Sequence, residues 1–286
     1  MIPAEFSYVA PTSLQEATRL LHDNAGAKVL AGGMSLIPAM KHRLSTPPLL
    51  VDIARIRGLG DVDEHRGRVR IGTRATHDEV GGSVQLRAFP IFAETAAQIG
   101  DLQVRNRGTF GGSLAHADPA ADWPAVFLAL GGEATVVGTK GTRTIRASDF
   151  FVGMLRSALA PSEVLSEVTM TVTREHSGAA YCKVRQPASG FAIVGVAANV
   201  VLDARGRIQT VTLGATGVNA VPFRIASVEA RLAGLAPSAV ELRELCANAD
   251  EVDPLEDMHA SAEYRRHLLG VYAARALESA LTRARA

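Results

Sequence analysis

Residues 108–122, GTFGGSLAHADPAAD, combine a diglycine with hydroxyl, imidazole and carboxylate side chains. A metal site, a hydrolase nucleophile turn and a loop that cradles a phosphate would each use some of these residue types. The spacing of His116, Asp118 and Asp122 matches no metal motif, which disfavours a metal site. The G-x-S-x-G turn of a serine hydrolase is also missing from the sequence. A phosphate-binding role for the diglycine therefore needs support from elsewhere in the chain.

A second diglycine, Gly32 and Gly33, follows a short apolar stretch in AGGMSLIP. Glycine lets the main chain adopt positive φ and approach a ligand closely, and consecutive amides in such a turn form an anion site. Alone, this pair fits a tight turn equally well. The diglycine of residues 108–122 also has hydroxyl side chains beside it, on Thr109 and Ser113. Two Gly-Gly loops with neighbouring hydroxyls favour a site in which both loops bind the phosphates of one dinucleotide. Neither loop has the G-x-G-x-x-G or G-x-x-x-x-G-K fingerprint, so another type of dinucleotide fold is predicted.

Other polar residues near these loops have ordinary structural interpretations. Asp118 before Pro119 predicts a turn, and Asp122 before Trp123-Pro124 predicts a helix N-cap whose carboxylate could also accept from a bound sugar. Lys183 lies on a predicted strand, where a lysine commonly protects a sheet edge from aggregation. Two arginines of VRNRG, Arg105 and Arg107, are expected on a solvated loop.

The elements that must position these residues change character along the chain. Ser13 and Glu16 form a capping box that predicts a first helix, and short apolar segments then alternate with helical ones. Predicted strands are 28–31, 49–53, 68–72, 133–137, 142–146 and 164–172, with helices at 88–98 and from 122. Three antiparallel strands follow, YCKV, FAIVGVAANVVL and RIQTVTLGA, and the pattern is helical from residue 226, with a last helix at about 259–283. We place the domain boundary in residues 173–178, which gives domains 1–175 and 176–286.

Bulk properties limit the possible functions. A chain of 286 residues is longer than one hydrophobic core usually supports. Its net charge of +1 does not indicate the basic surface that a nucleic-acid-binding protein needs. The sequence has no stretch apolar enough to span a membrane and no secretory pattern at its start, so we expect a cytoplasmic protein. Its two cysteines, Cys182 and Cys246, are too few to hold an iron–sulfur cluster. Any such cluster must belong to a partner.

Four ordered motifs together carry a family resemblance. AGGMSLIPAMKHRL, RNRGTFGGSLAHADPAAD, DFFVGMLRSALAPSEVLSEV and YCKVRQPASGFAIVGVAA resemble the FAD-binding medium subunits of molybdenum hydroxylases. The aerobic carbon monoxide dehydrogenase type is most similar, and the flavin domain of xanthine dehydrogenase is more distant. The resemblance implies an α+β fold: a two-part FAD-binding domain of the vanillyl-alcohol-oxidase (PCMH) type, then a smaller domain like the carbon monoxide dehydrogenase flavoprotein C-terminal domain, with a three-stranded antiparallel sheet and a helical bundle.

The resemblance also implies a cofactor site. The backbone of residues 31–35 and 109–113 would hold the FAD pyrophosphate and ribityl chain, while Asp122 would hydrogen-bond the cofactor. The Leu165 backbone would meet the flavin ring, Lys183 would lie near its carbonyl edge, and Ile99 and Phe191 would give apolar contacts. Met34 and Ser113 stand where relatives often carry His and Asn, but both positions act mainly through the backbone. The full implied set is Ala31, Gly32, Gly33, Met34, Ser35, Ile99, Thr109, Gly111, Gly112, Ser113, Asp122, Leu165, Lys183 and Phe191, with no catalytic residue and no metal ligand.

The implied function is an oxidoreductase subunit that exports electrons. In this family a large subunit with molybdenum and a pterin oxidises the substrate, a small subunit carries two [2Fe–2S] clusters, and the FAD subunit passes electrons to NAD, a quinone or oxygen. The resemblance implies a dimer of heterotrimers and leaves the substrate open among carbon monoxide, N-heterocycles, purines and aldehydes. Two alternatives stay open: a stand-alone FAD-dependent oxidoreductase of the same fold, and an assembly protein that no longer holds FAD.

Overall fold

The computed structural model describes residues 1–249 and 251–286. The chain begins with a three-stranded parallel sheet in the order β1-β3-β2, in which helices connect the strands. Its elements are β1 Ser7–Val9, α1 Leu14–Asp23, β2 Lys28–Leu30, α2 Leu36–Lys41 and β3 Leu49–Asp52, followed by a 3-10 helix at Ile53–Arg55.

The predicted cap of α1 is confirmed, with one change in its partners. The Ser13 hydroxyl accepts from the Glu16 amide over 3.2 Å. The Glu16 carboxylate accepts from the amide of Thr12, not from that of Ser13. The helix then buries Ala17 and Leu21 in the core of this first sheet.

The second part of the chain forms a five-stranded antiparallel sheet in the order β4-β5-β10-β6-β7. One core covers this sheet, and its largest side chains are buried aromatic rings that include Phe92, Phe110 and Trp123. The strands are β4 Val62–His65, β5 Arg68–Gly72, β6 Glu133–Gly138, β7 Gly141–Arg146 and β10 Val164–Thr171, with a hairpin of β8 Phe151–Gly153 and β9 Arg156–Ser157. The helices are α3 His77–Gly81, α4 Pro90–Ala97, α5 Leu102–Arg105, α6 Phe110–His116, α7 Trp123–Ala129 and α8 Ala147–Phe150.

The third part is an antiparallel sheet covered by helices, as predicted. Its three long strands are joined at the edge by a two-residue strand, β14, so that the order is β11-β12-β13-β14. The last helix, α11, packs Leu268, Leu277 and Leu281 into a separate core. The elements are β11 Ser177–Arg185, β12 Ala192–Leu202, β13 Ile208–Thr216, β14 Phe223–Arg224, α9 Ala226–Leu232, α10 Ala239–Cys246 and α11 Ala262–Ala284.

The second and third parts of the chain are in direct contact. Tyr181 and Ala197, both on strands of the last sheet, are buried in the core of the five-stranded sheet. The Thr216 hydroxyl oxygen lies 2.7 Å from the carbonyl oxygens of both Pro119 and Ala121, which share its single hydrogen. The exact division into residues 1–175 and 176–286 stays a prediction. Where the chain is described, no helix combines the length and apolar character needed to cross a bilayer, and the cytoplasmic location also stays a prediction.

Candidate functional site

The first diglycine lies between β2 and α2 and presents free backbone amides. Gly33 has a φ of 78°, which an L-residue with a side chain rarely adopts. In the described part of the chain, no protein group accepts a hydrogen bond from the amides of residues 32–36. Successive free amides beside a left-handed residue form a concave anion site. This segment therefore fits a phosphate group.

The second diglycine is not a loop, and that prediction is wrong. Gly111 and Gly112 lie in the first turn of α6, which Thr109 caps by accepting from the Gly112 amide over 3.1 Å. The Gly111 amide donates to the carbonyl of Thr73 over 3.1 Å. A Cβ on Gly111 would lie 2.0 Å from the Thr73 hydroxyl oxygen, so close packing against Thr73, which follows β5, requires glycine here. These two amides are committed within the chain.

The two diglycine segments nevertheless lie side by side. A Cβ on Gly32 would lie 2.0 Å from the carbonyl oxygen of Arg107 and 2.9 Å from the Cα of Gly108. The main chain of the first segment thus packs directly on the residues that lead into α6. The structure brings together the two segments that the sequence predicted to form one site.

A buried ion pair lies in the same region, between the second and third parts of the chain. Lys183 donates from Nζ to Oδ1 of Asp122 over 2.7 Å and to the carbonyl of Gln98 over 2.8 Å. The Lys183 side chain is 0% exposed and that of Asp122 is 5% exposed. The Tyr181 hydroxyl donates to the same Oδ1 over 2.6 Å. Gln98 is the C-cap of α4, so its carbonyl is at the negative end of a helix, which favours a cation.

One structural interpretation from the sequence is wrong here, and a second is confirmed only for the position of the residue. Lys183 is on an edge strand, but its ammonium is buried against Asp122 and does not protect the edge. Asp122 occupies the N-cap position of α7 without a side-chain hydrogen bond to the helix. Its carboxylate instead faces Lys183 and Tyr181, which both donate to Oδ1.

Burial governs the acid–base properties of this cluster. Burial raises the pKa of Asp122, and the nearby Lys183 ammonium and the Tyr181 hydroxyl act against that rise. The pKa of Tyr181 is well above its ordinary value, first through burial and then through the Asp122 charge. The Tyr181 phenol therefore keeps its proton and acts as a hydrogen-bond donor.

The remaining predicted residues differ in their burial, and only Ile99 adjoins this cluster directly. Ile99 is half-buried next to Gln98, and Gly190 packs near Gly100, since a Cβ on Gly190 would lie 3.6 Å from the Gly100 Cα. Phe191 follows and is 45% exposed. Leu165 is buried in the core of the five-stranded sheet, where β10 has a bulge between Leu165 and Glu167. The first-segment side chains of Met34 and Ser35 are exposed, which fits a role through their backbone.

Four positioning residues could not be predicted from the sequence patterns: His77, Trp123, Tyr181 and Gln98. The Trp123 indole N–H donates to Nδ1 of His77 over 2.9 Å. Burial, and then the positive charge of Arg105, lowers the pKa of His77 to about 4. A Cβ on Gly108 would lie 2.7 Å from Nε2 of His77, so the imidazole packs under the segment before α6. The only signal was that Trp123 is the one tryptophan of the chain.

The other polar residues have structural roles. Arg105, predicted as a solvated charge, is half-buried and donates to the carbonyls of Ile99 and Gly100 over 3.0 and 3.2 Å, whereas Arg107 is exposed. The predicted turn at Asp118 is confirmed, because its carboxylate accepts from the Ala120 amide over 2.9 Å. Across residues 1–249 and 251–286, no three His, Cys, Asp or Glu side chains converge as metal ligands would.

Comparison with known proteins identifies the family. Residues 4–170 match the family described as the FAD binding domain in molybdopterin dehydrogenase, and residues 179–280 match the carbon monoxide dehydrogenase flavoprotein C-terminal domain. The chain belongs to this family of FAD-binding subunits of molybdenum hydroxylases. It is therefore a subunit of an oxidoreductase, and FAD is its cofactor.

Individual relatives match the chain over its whole length. The carbon monoxide dehydrogenase medium chain of Afipia carboxidovorans is 36% identical and covers 100% of both chains. The 6-hydroxypseudooxynicotine dehydrogenase complex subunit alpha of Paenarthrobacter nicotinovorans is also 36% identical, over 100% of this chain and 97% of its own length. The structure of carbon monoxide dehydrogenase from Hydrogenophaga pseudoflava superposes with a TM-score of 0.94 at 35% identity, over 99% of each chain. The predicted fold class is confirmed.

Proposed function

We propose that this chain is the subunit through which electrons leave a molybdenum hydroxylase. FAD, when bound, supplies a carrier that accepts electrons singly from a partner's [2Fe–2S] clusters and gives them singly or in pairs to NAD, a quinone or oxygen. The chain has two cysteines, Cys182 and Cys246, so the clusters belong to a small partner subunit and molybdenum with its pterin to a large one. We propose a dimer of such heterotrimers.

The observation that carries this proposal is the row of free amides in residues 32–36 beside the start of α6. These amides would bind the FAD diphosphate, with Gly33 setting the curvature of the segment. At the second segment, Thr109, Gly111 and Gly112 give close backbone packing, and the Ser113 hydroxyl adds a donor. We propose that Ala31, Met34 and Ser35 also belong to the site and contribute to it through their backbone atoms.

The ring end of the cofactor is assigned to the region around the buried ion pair. An ammonium has three N–H donors, and two of those on Lys183 are committed to Asp122 and Gln98. We propose that the third lies near the flavin carbonyl edge, which requires the surrounding side chains to move on FAD binding, because the Lys183 side chain is 0% exposed in the FAD-free structure. We propose that Ile99, Phe191 and the Leu165 backbone bound the same space.

Purification of the native complex tests this function. We expect about one FAD per chain, together with iron, molybdenum and the iron–sulfur absorption bands, and turnover of one member of a substrate panel that includes carbon monoxide. A yellow chain purified without partners would identify a stand-alone oxidoreductase. A colourless, correctly folded chain that takes up no added FAD would identify an assembly protein and contradict the proposal.

A further inference from the structure

The hairpin of β8 and β9 carries exposed apolar side chains at its tip. Val152, Met154 and Leu155 are 55%, 50% and 53% exposed, and only Gly153 interrupts them in the sequence. We call these three residues the hairpin tip. Single apolar residues are ordinary on a protein surface, whereas contiguous ones mark interaction sites. The hairpin tip is therefore a candidate docking surface.

The backbone of Leu155 is a second, independent observation. Gly153 pairs with Arg156, so Met154 and Leu155 form a two-residue turn. Leu155 has a φ of 54°, whereas Met154 lies outside the left-handed region. This is the pattern of a type II turn, in which the second central position favours glycine. A leucine at this position costs stability, and its exposed side chain recovers little of that cost by burial within the chain.

The hairpin holds its tip in one fixed position. At its base, the Phe151 ring packs edge-on against two phenylalanines of the core. The Ser157 hydroxyl donates to the carbonyl of Ala115 over 3.2 Å, and the Leu155 amide donates to the carbonyl of Ala117 over 3.2 Å. A surface that is already ordered loses little conformational entropy when a partner binds to it.

These contacts connect the hairpin to the segment that leads to the proposed ring end of the cofactor. The chain continues from Ala117, at the end of α6, to Asp122 of the buried ion pair. In the same segment, the carbonyl of Ala120 accepts from the amide of Ala192, the residue after Phe191, over 3.1 Å. Electrons enter FAD at its ring, so the subunit that donates them must approach this part of the molecule.

We propose that the hairpin tip docks into an apolar pocket of the small [2Fe–2S] subunit. The inference rests on the proposed function, which supplies both this subunit and the position of the ring. The chain belongs to a family of subunits of multi-subunit enzymes, so a protein partner exists to cover the surface. Residues 152–155 contain no charged side chain, and the buried core of a protein–protein interface is depleted in charge. The strained backbone of Leu155 turns its side chain toward that partner.

Site-specific photocrosslinking in the native complex tests which partner covers the hairpin tip. A benzophenone amino acid in place of Met154 should form an adduct with the small subunit, identified by mass spectrometry. The control position is Arg66, in the turn between β4 and β5. That turn is at the opposite end of β5 from Thr73, against which α6 packs, and should give no such adduct. At position 154, an adduct with the large subunit, an adduct with a second copy of this chain, or no adduct overturns the proposal.

The variant L155G separates the stability of the chain from its assembly. Glycine relaxes the left-handed backbone, so the variant chain should unfold at a higher denaturant concentration than the wild type. Its complex should nevertheless dissociate on dilution at a concentration at least about tenfold higher, because one buried leucine is lost from the interface. The matched control is R66G, since Arg66 has a φ of 50°. It should stabilise the chain in the same way and leave dissociation unchanged.

A further variant, M154S, removes an apolar side chain without relaxing a left-handed residue. It should weaken the complex and leave the unfolding of the chain unchanged. Complexes with L155G and M154S that dissociate at the wild-type concentration overturn the proposal. A native complex that contains no [2Fe–2S] subunit would instead contradict the proposed function.

Discussion

Trp123 donates its indole N–H to Nδ1 of His77, and this bond fixes the imidazole as the neutral tautomer with its proton on Nε2. The imidazole lies under the segment that leads into α6, where Gly108 packs against Nε2. Protonation at Nδ1 would place two donors face to face in a buried site. The position of the second diglycine therefore depends on the neutral form of His77.

This dependence predicts a loss of stability in acid. The pKa of His77 is lowered by burial from 6.5 to about 4, so its contribution is complete above pH 6.5 and is lost as the pH falls toward 4. The expected loss is about 3 kcal/mol in the free energy of unfolding. In H77N, which keeps an acceptor for the indole without titrating, this component should be absent. Denaturant unfolding of both proteins from pH 7 to 4 measures it, and parallel pH curves would contradict the assignment.

The first diglycine predicts a selective effect on cofactor binding. G33A forces a side chain into a backbone with a φ of 78° and should weaken FAD binding. We expect at least about a tenfold loss of affinity, because displaced amides no longer converge on the diphosphate. The matched control is G206A, since Gly206 has a φ of 74° in a turn of the last sheet with open space around it. Both variants should lose about 1 kcal/mol of stability, but only G33A should lose FAD in a titration followed by flavin fluorescence. Equal FAD affinity in the two variants would remove residues 32–36 from the site.

The buried ion pair predicts a large effect with a specific rescue. K183M leaves the Asp122 carboxylate buried without its counter-charge. The expected cost is about 3 kcal/mol or more in the free energy of unfolding of the FAD-free chain. The double variant K183M/D122N removes the unpaired charge and should recover most of that loss. If both proteins unfold at the same denaturant concentration, the pair does not carry the energy assigned to it.

A further contact between the second and third parts of the chain joins the last helix to α4. Arg283 donates from Nη1 to Glu94 over 3.0 Å, a second bond joins its Nη2 to the same carboxylate, and Nη1 also donates to the carbonyl of Ala179. A double-mutant cycle with R283M and E94Q should give a coupling energy of about 1 kcal/mol or more, because the bidentate pair is partly buried. The exposed pair Arg68 and Glu133 is the control, with a coupling below about 0.5 kcal/mol. Similar couplings for the two pairs would show that the contact is an ordinary surface pair.

Much of the fold could be predicted because local patterns agree with it. The Ser13 cap, the long strands and the last helix all carry strong periodicity or capping signals. The three-residue β1 and the two-residue β14 are too short for any pattern. The sequence of α6 predicts a loop because glycine disfavours helix, and only the hydrogen bond to Thr73 and the close packing there explain why a helix contains two glycines in its first turn.

The site was predicted in part for the same reason. Gly32 and Gly33 give a local signal, since their backbone geometry depends on the residue type itself. The sequence gives no local signal for the burial of Lys183. A strand position indicates on which face of the sheet a side chain lies but not what covers it. Asp122 and the end of α4 come from distant parts of the sequence to enclose the ammonium. His77 likewise gains its role only from a tryptophan far along the chain.

The ion pair has one member in the second part of the chain and one in the third: Asp122 precedes α7, whereas Lys183 belongs to β11. Neither of these two parts can form the ion pair before the other has packed against it. Flavin uptake by a newly made chain should therefore require that both parts have folded and packed together. The yellow colour of the protein would then show how much of the chain has completed its folding.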